Sequence, residues 1–168
     1  MDTDKFTIKA QEAVQRAQQI AEELQHQSIE CTHLLKGILQ VDENVFPFIL
    51  KKLSMNGPQV ESILDQMIAQ QPKVSGGESY FSREAVTALQ KAQSSLKELG
   101  DEYIALEHLL LGILRSGNQV SRMLKDAGMN EKDLLESIKD LRKGGKVHSR
   151  SSEDSYQALD KYAIPLNV

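Results

Sequence analysis

One segment of this chain occurs twice, and the spacing between the copies limits the possible folds more than any other feature. Ile104-Ala105-Leu106-Glu107-His108-Leu109-Leu110-Leu111-Gly112-Ile113-Leu114 repeats Ile29-Glu30-Cys31-Thr32-His33-Leu34-Leu35-Lys36-Gly37-Ile38-Leu39. The copies agree at Ile, His, Leu-Leu and Gly-Ile-Leu, and Ile29 and Ile104 lie 75 positions apart. A period this long, with an apolar run in each copy, points to a duplicated helical unit. Two such units either share one core or pack back to back.

Other segments keep the same offset. Phe6-Thr7 is matched by Phe81-Ser82. Thr7 and Ser82 are each placed to cap a helix, since a hydroxyl can accept from an otherwise unpaired first-turn amide. Phe81 and Val86 have the spacing of a hydrophobic staple. Behind the caps run Ala10, Val14, Ala17, Ile20, Ala21 and Leu24, and then Ala85, Leu89, Ala92, Leu96 and Leu99. Both sets fall on one helical face, and their alanines predict close helix-to-helix approach. A second helix follows in each unit, through His33 and through His108. The third starts near Val45, with Pro47 tolerated in the first turn, and its counterpart starts near Val120. The fourth begins after the Asn56-Gly57-Pro58 break, and Leu134, Ile138 and Leu141 match Val60, Leu64 and Met67. The expected fold is all-α, with about eight helices as two four-helix repeats. The first repeat covers 1–70, a linker 71–80, and the second repeat 81–143. The stretch 144–168 reads as a connector. Within it, Val147 to Ser155 is polar and serine-rich, which predicts a mobile stretch, unless Tyr156, Leu159 and Tyr162 dock on the body.

The rest of the sequence excludes more chemistry than it suggests. A net charge of −4 disfavours a general nucleic-acid partner. No apolar run approaches the roughly 20 residues that span a membrane, and Met1-Asp2-Thr3-Asp4-Lys5 lacks the plan of a signal peptide. Cys31 is the sole cysteine, so no internal disulfide forms. The expected location is the cytoplasm. Lys143-Gly144-Gly145-Lys146 lacks the spacing of a phosphate loop, and no His-Glu-x-x-His occurs. Neither catalysis nor a bound metal or cofactor is expected. His33 and His108 read as interior or helix-cap hydrogen-bonding groups, and Cys31 as a buried thiol. Lys139, Arg142, Lys143, Lys146 and Arg150 read as cations complementing a helix C-terminus.

Taken together, Phe6-Thr7 with its alanine-rich helix, the two Ile…His-Leu-Leu copies and the restart at Phe81-Ser82 resemble the N-terminal domain of Clp-family ATPases. Gly100-Asp101-Glu102-Tyr103-Ile104 is similar to that family's segment before its second core helix. Gly144-Gly145, followed by Glu153-Asp154-Ser155-Tyr156-Gln157-Ala158-Leu159-Asp160-Lys161-Tyr162, resembles the connector of the ClpB disaggregase branch. The resemblance implies two pseudo-twofold repeats and a connector towards an ATPase module outside this chain. It also implies a parent that works as an ATP- and magnesium-dependent hexamer alongside the DnaK system. This segment would contact unfolded or aggregated polypeptide and pass it to the ring. The alternative is an adaptor-docking domain of a protease-linked unfoldase.

Carried over by motif, the implied substrate-contacting residues are Thr7, Asp101 and Glu107, with Tyr103 and Ile104 as apolar neighbours. Their side chains are expected to reach the surface from the segment before the second core helix. A groove around Leu96 and Leu99 is the other expected surface, made more polar by Lys91 and Ser95. In the ClpC branch an acidic residue in each repeat recognises phosphorylated arginine. Glu107 fits that pattern, whereas Thr32 takes the matching place in the first repeat.

Overall fold

Each copy of the repeat folds around a glycine that lets two helices touch. In the computed structural model, which describes residues 3–156, the helices are α1 (Ile8–Glu23), α2 (Cys31–Val41), α3 (Val45–Lys52) and α4 (Gly57–Ala69), then α5 (Arg83–Leu99), α6 (Leu106–Arg115), α7 (Gln119–Asp126) and α8 (Glu131–Arg142). A side chain at Gly37 of α2 would collide with the Ala13 carbonyl oxygen and crowd the Ala17 amide of α1. One at Gly112 of α6 would collide in the same way with Ala88 and Ala92 of α5. Ala10, Ala13, Ala17 and Ala21 are buried on α1, as are Ala85, Ala88 and Ala92 on α5. The alanine stripes are therefore the seats of these two pairs, at the close spacing that small residues allow.

Helix starts follow local chemistry. The Thr7 hydroxyl accepts the Ala10 N–H at 3.1 Å, and the Ser82 hydroxyl accepts the Ala85 N–H at 3.0 Å. Asn56, Asn118 and Asn130 do the same for α4, α7 and α8. Asp42 accepts from the amides of Asn44, Val45 and Phe46 and so starts α3. Pro47 sits in the first turn of α3, where no intrahelical N–H is required.

The junction between the repeats contains extended pairing that periodicity did not predict. Strand β1 (Ser28–Ile29) pairs in parallel with β2 (Tyr80–Phe81), and Ile29 lies beside Phe81. Phe6 makes the matching bridge to Ile104. Each repeat's leading phenylalanine thus pairs with the other repeat's isoleucine, as at a twofold interface. The Thr7 N–H donates to the Ile104 carbonyl at 2.9 Å, and the Ser82 N–H to the Ile29 carbonyl at 3.0 Å. Phe6, Ile29 and Ile104 are all buried, in one core that spans both halves.

The mobile stretch expected at Val147 to Ser155 is corrected. Residues 147–156 fold back over the starts of α1 and α6. The Ile8 N–H donates to the Arg150 carbonyl at 2.8 Å, and the Glu102 N–H to the Val147 carbonyl at 2.8 Å. Val147, Ser152, Glu153 and Tyr156 are buried, and residues 152–156 are helical. A serine-rich segment holds its place here because its hydroxyls bond locally. Ser152 Oγ, for example, donates to the Ser149 carbonyl. Tyr156 docks as the notional condition required. Leu159 and Tyr162 lie outside the described residues.

Candidate functional site

The segment between α5 and α6 begins at Gly100, whose φ of 70° ends α5 in the left-handed region. Asp101 follows and turns inward. Its Oδ2 lies 2.7 Å from His108 Nε2 and 2.8 Å from Arg142 Nη1, while Oδ1 accepts the Val147 N–H at 2.9 Å. The other His108 nitrogen, Nδ1, accepts the Ala105 N–H at 2.8 Å. His108 Nε2 therefore carries the proton it shares with Asp101. Burial raises the Asp101 pKa, but the bonds from His108 and Val147 and the Arg142 charge outweigh it and bring it below the usual value.

Glu107 is fully buried in the first turn of α6, where Arg142 Nε reaches its Oε2 at 2.8 Å. The basic residue read as a dipole complement is thus a buried counter-ion. Glu153 arrives from the returning tail. Its Oε2 accepts from the Thr7 hydroxyl at 2.6 Å and from the Leu106 N–H at 3.1 Å. Ala105, at the cap position of α6, has no acceptor in its side chain, and Glu153 takes over that duty.

These positions correct the expected contact surface. Thr7, Ile104 and Glu107 have no exposure, and the Asp101 side chain is likewise sealed. Each is turned inward by a partner that sequence proximity did not reveal: Glu153, Phe6, Arg142 and His108 respectively. Tyr103, Leu96 and Leu99 are half-buried against the core. Ser95 is buried and donates to the Ala92 carbonyl, so it does not make the groove polar, whereas Lys91 is exposed.

The same positions in the first repeat carry different chemistry. His33 Nδ1 accepts the Glu30 N–H at 2.9 Å, as His108 does for Ala105. Its Nε2, however, meets His26 Nδ1 at 2.9 Å instead of a carboxylate. Burial first, and then His26, push the His33 pKa down to about 4 against the opposing pull of Glu30. Cys31 accepts from Asn118 Nδ2 at 2.9 Å, and burial raises its thiol pKa to about 11, which makes it a poor nucleophile. Among the described residues, no group of three or more His, Cys, Asp or Glu side chains could hold a metal. No helix there is long and apolar enough to cross a membrane.

An open apolar surface lies elsewhere. A cleft of about 390 Å³ runs between α1 and α5, lined by Phe6, Val14, Phe81, Val86 and Leu89, with Gln11, Gln15 and Gln18 along one wall and Thr3 at its edge. Val86 is 39% exposed, and Ile8 and Tyr80 also present apolar surface to solvent. The sequence signal was the staple pair Phe81 and Val86. Periodicity assigned Val14 and Leu89 to the core and could not tell that α1 and α5 leave a gap between them.

Comparison with known proteins gives a consistent result. The Clp repeat (R) N-terminal domain family matches residues 5–127. The "Chaperone protein ClpB" of Bacteroides thetaiotaomicron is 54% identical over 167 residues, which is 99% of this chain. That of Porphyromonas gingivalis is 40% identical over 166 residues. The chain spans only 19% of the length of each of these relatives. Among solved structures, the Hsp104 N-terminal domain from Candida albicans superposes with a TM-score of 0.79 at 21% identity, covering 89% of this chain and 99% of that one. At that identity the match speaks for the fold alone.

Proposed function

Because the chain belongs to the Clp repeat N-terminal domain family, we propose that it is the substrate-contacting module of an ATP-dependent disaggregase. The module binds unfolded or aggregated polypeptide weakly and hands it to an ATPase ring of the same protein. ATP and magnesium serve that ring, which cooperates with a DnaK-type chaperone system in the cytoplasm. The observation that carries this reading is the open cleft between α1 and α5, where apolar side chains stand beside a wall of glutamines. An unfolded chain offers apolar side chains and unpaired backbone groups. A shallow cleft with both apolar and amide surface receives each without demanding one sequence, and weak binding lets the polypeptide move on.

On this reading Thr7 and Ile104 hold Phe6 of that surface from behind, and Asp101, Glu107, Tyr103, Leu96 and Leu99 are not among its lining. Val86→Glu places a charge in the cleft at an exposed position. It is expected to weaken binding of an extended model chain such as casein by about tenfold, in the range of a single interface contact. The melting temperature should stay close to that of the parent. Undiminished casein binding by the folded variant would remove the cleft from the reading. Casein binding with no added adaptor separates this function from the adaptor-docking alternative.

A further inference from the structure

We infer that residues 147–156 form a detachable strap, released when the buried Glu153 carboxyl ionises. The strap is tied down at a few identifiable points. Val147 accepts from the Glu102 N–H and donates its own N–H to the Asp101 carboxylate, Arg150 accepts from Ile8, and Glu153 closes both Thr7 and the start of α6. Of these, the Glu153 tie is the one that depends on a proton.

The charge balance of the cluster is the reason. Asp101 from the turn and Glu107 from α6 are ion-paired to one guanidinium, Arg142 of α8, and Glu153 from the strap is a third buried carboxyl near Glu107. Arg142 is engaged by Asp101 and Glu107. His108 binds Asp101, and Tyr156 of the strap adds a phenol. Towards the outer side, Glu153 and Asp154 share a small cleft with Lys9 of α1 and with Asp42 and Glu43 before α3. With every carboxyl ionised the buried cluster would carry an excess negative charge that burial makes expensive. One proton removes most of that cost. Glu153 Oε1 and Glu107 Oε1 are both buried without a hydrogen-bond partner, as are Arg142 Nη2 and Tyr156 Oη of the same cluster, so a negative charge on Glu153 gains nothing at its inner oxygen to offset burial. Burial and then Glu107 push the Glu153 pKa up to about 7, against the bonds from Thr7 and Leu106.

The sign follows from linkage. A detached Glu153 titrates near 4.5 and a docked one near 7, so the docked state holds more protons between these values. Docking is therefore strongest below pH 4.5 and weakens as pH rises through 7. Between pH 6 and pH 8 the opening equilibrium should rise about tenfold. Amide exchange of the 168-residue chain, corrected for intrinsic rates, reads this at the Leu106, Glu102 and Ile8 amides. Leu34, bonded to the Glu30 carbonyl of the first repeat, serves as the control. Protection at the three strap-facing amides should fall about tenfold from pH 6 to pH 8, while Leu34 holds. Glu153→Gln keeps the acceptor but cannot ionise, and should make strap protection insensitive to pH. Unchanged protection in the parent, or an undiminished pH response in Glu153→Gln, overturns the inference. A carbon NMR titration of the parent needs no variant. A Glu153 midpoint near pH 7 supports the strap, and one near 4.5 overturns it.

Discussion

The two repeats answer one backbone problem in two ways. Both start their central helix with an imidazole that accepts the cap residue's own N–H, His33 from Glu30 and His108 from Ala105. Beyond that bond they part. The first repeat puts a second histidine behind the ring, keeps its carboxylate at the cap itself as Glu30, and closes α4 with Ile68. The second puts Asp101 behind the ring, leaves the cap to Ala105, and closes α8 with Arg142 at the position of Ile68. Behind its imidazole and at the end of α4, the first half is closed by His26 and Ile68 from its own sequence. The second is ionic, and it is completed only when Glu153 arrives from beyond α8. Duplication preserved the backbone geometry and left the chemistry behind it free to diverge.

The largest expected difference lies at that helix end. Arg142→Met strands Asp101 and Glu107 without a counter-ion. It should cost about 3–5 kcal/mol, the range for breaking a buried pair. Ile68→Met at the matching position should cost less than about 1.5 kcal/mol. Urea unfolding of the two variants measures the contrast, and equal losses would abolish it.

Acid should act next, and through the first repeat. His33 has a folded pKa of about 4 against an ordinary 6.5, so the unfolded chain takes up the proton first. Stability from this residue is complete above pH 6.5, falls as pH drops through that window, and levels off below 4. After allowance for solvent screening the loss is on the order of 1–2 kcal/mol. Glu153 runs the opposite way over pH 4.5 to 7, so the slope is read most cleanly in Glu153→Gln. His33→Gln in that background should flatten it, and a persisting slope would assign the acid response to other groups.

The smallest difference is at the ends of the first helices. α5 ends at Gly100 with φ 70°, and the matching Gln25 after α1 holds φ 61° without glycine's freedom. Gln25→Gly should raise stability by up to about 1 kcal/mol, measured as the urea midpoint. A loss would mean that the Gln25 side chain contributes more than its strained backbone costs.

Much of the fold was legible because its signals are local or periodic. The caps at Thr7 and Ser82 fall within three residues of the amides they bind, and the alanine stripes and the offset between Gly37 and Gly112 are periodic. The strand pairing was not legible, since two-residue strands such as Tyr80-Phe81 carry no alternation to detect. The site was read only in part. Glu107 in a first turn looks like a complement to the helix dipole, and nothing in its neighbourhood announces Arg142, which lies two helices further along the chain. Val147 to Tyr156 has the composition of a linker, and its buried Glu153 acts through Thr7 and Leu106, far back in the sequence.

The exchanged pairing of Phe6 with Ile104 and of Phe81 with Ile29 bears on how the protein is made. When Ile29 leaves the ribosome, the strand that covers it has not been synthesised, and Phe6 waits still longer for its partner. At ordinary translation speeds that interval is on the order of seconds, long against the time a helix takes to form. The first four helices can therefore coil early but cannot finish their shared seam until the second copy emerges. The nascent half presents its unfinished apolar edge to whatever is nearby. A neighbouring nascent chain could supply the missing Phe81, which makes partner exchange between copies the characteristic error of crowded synthesis.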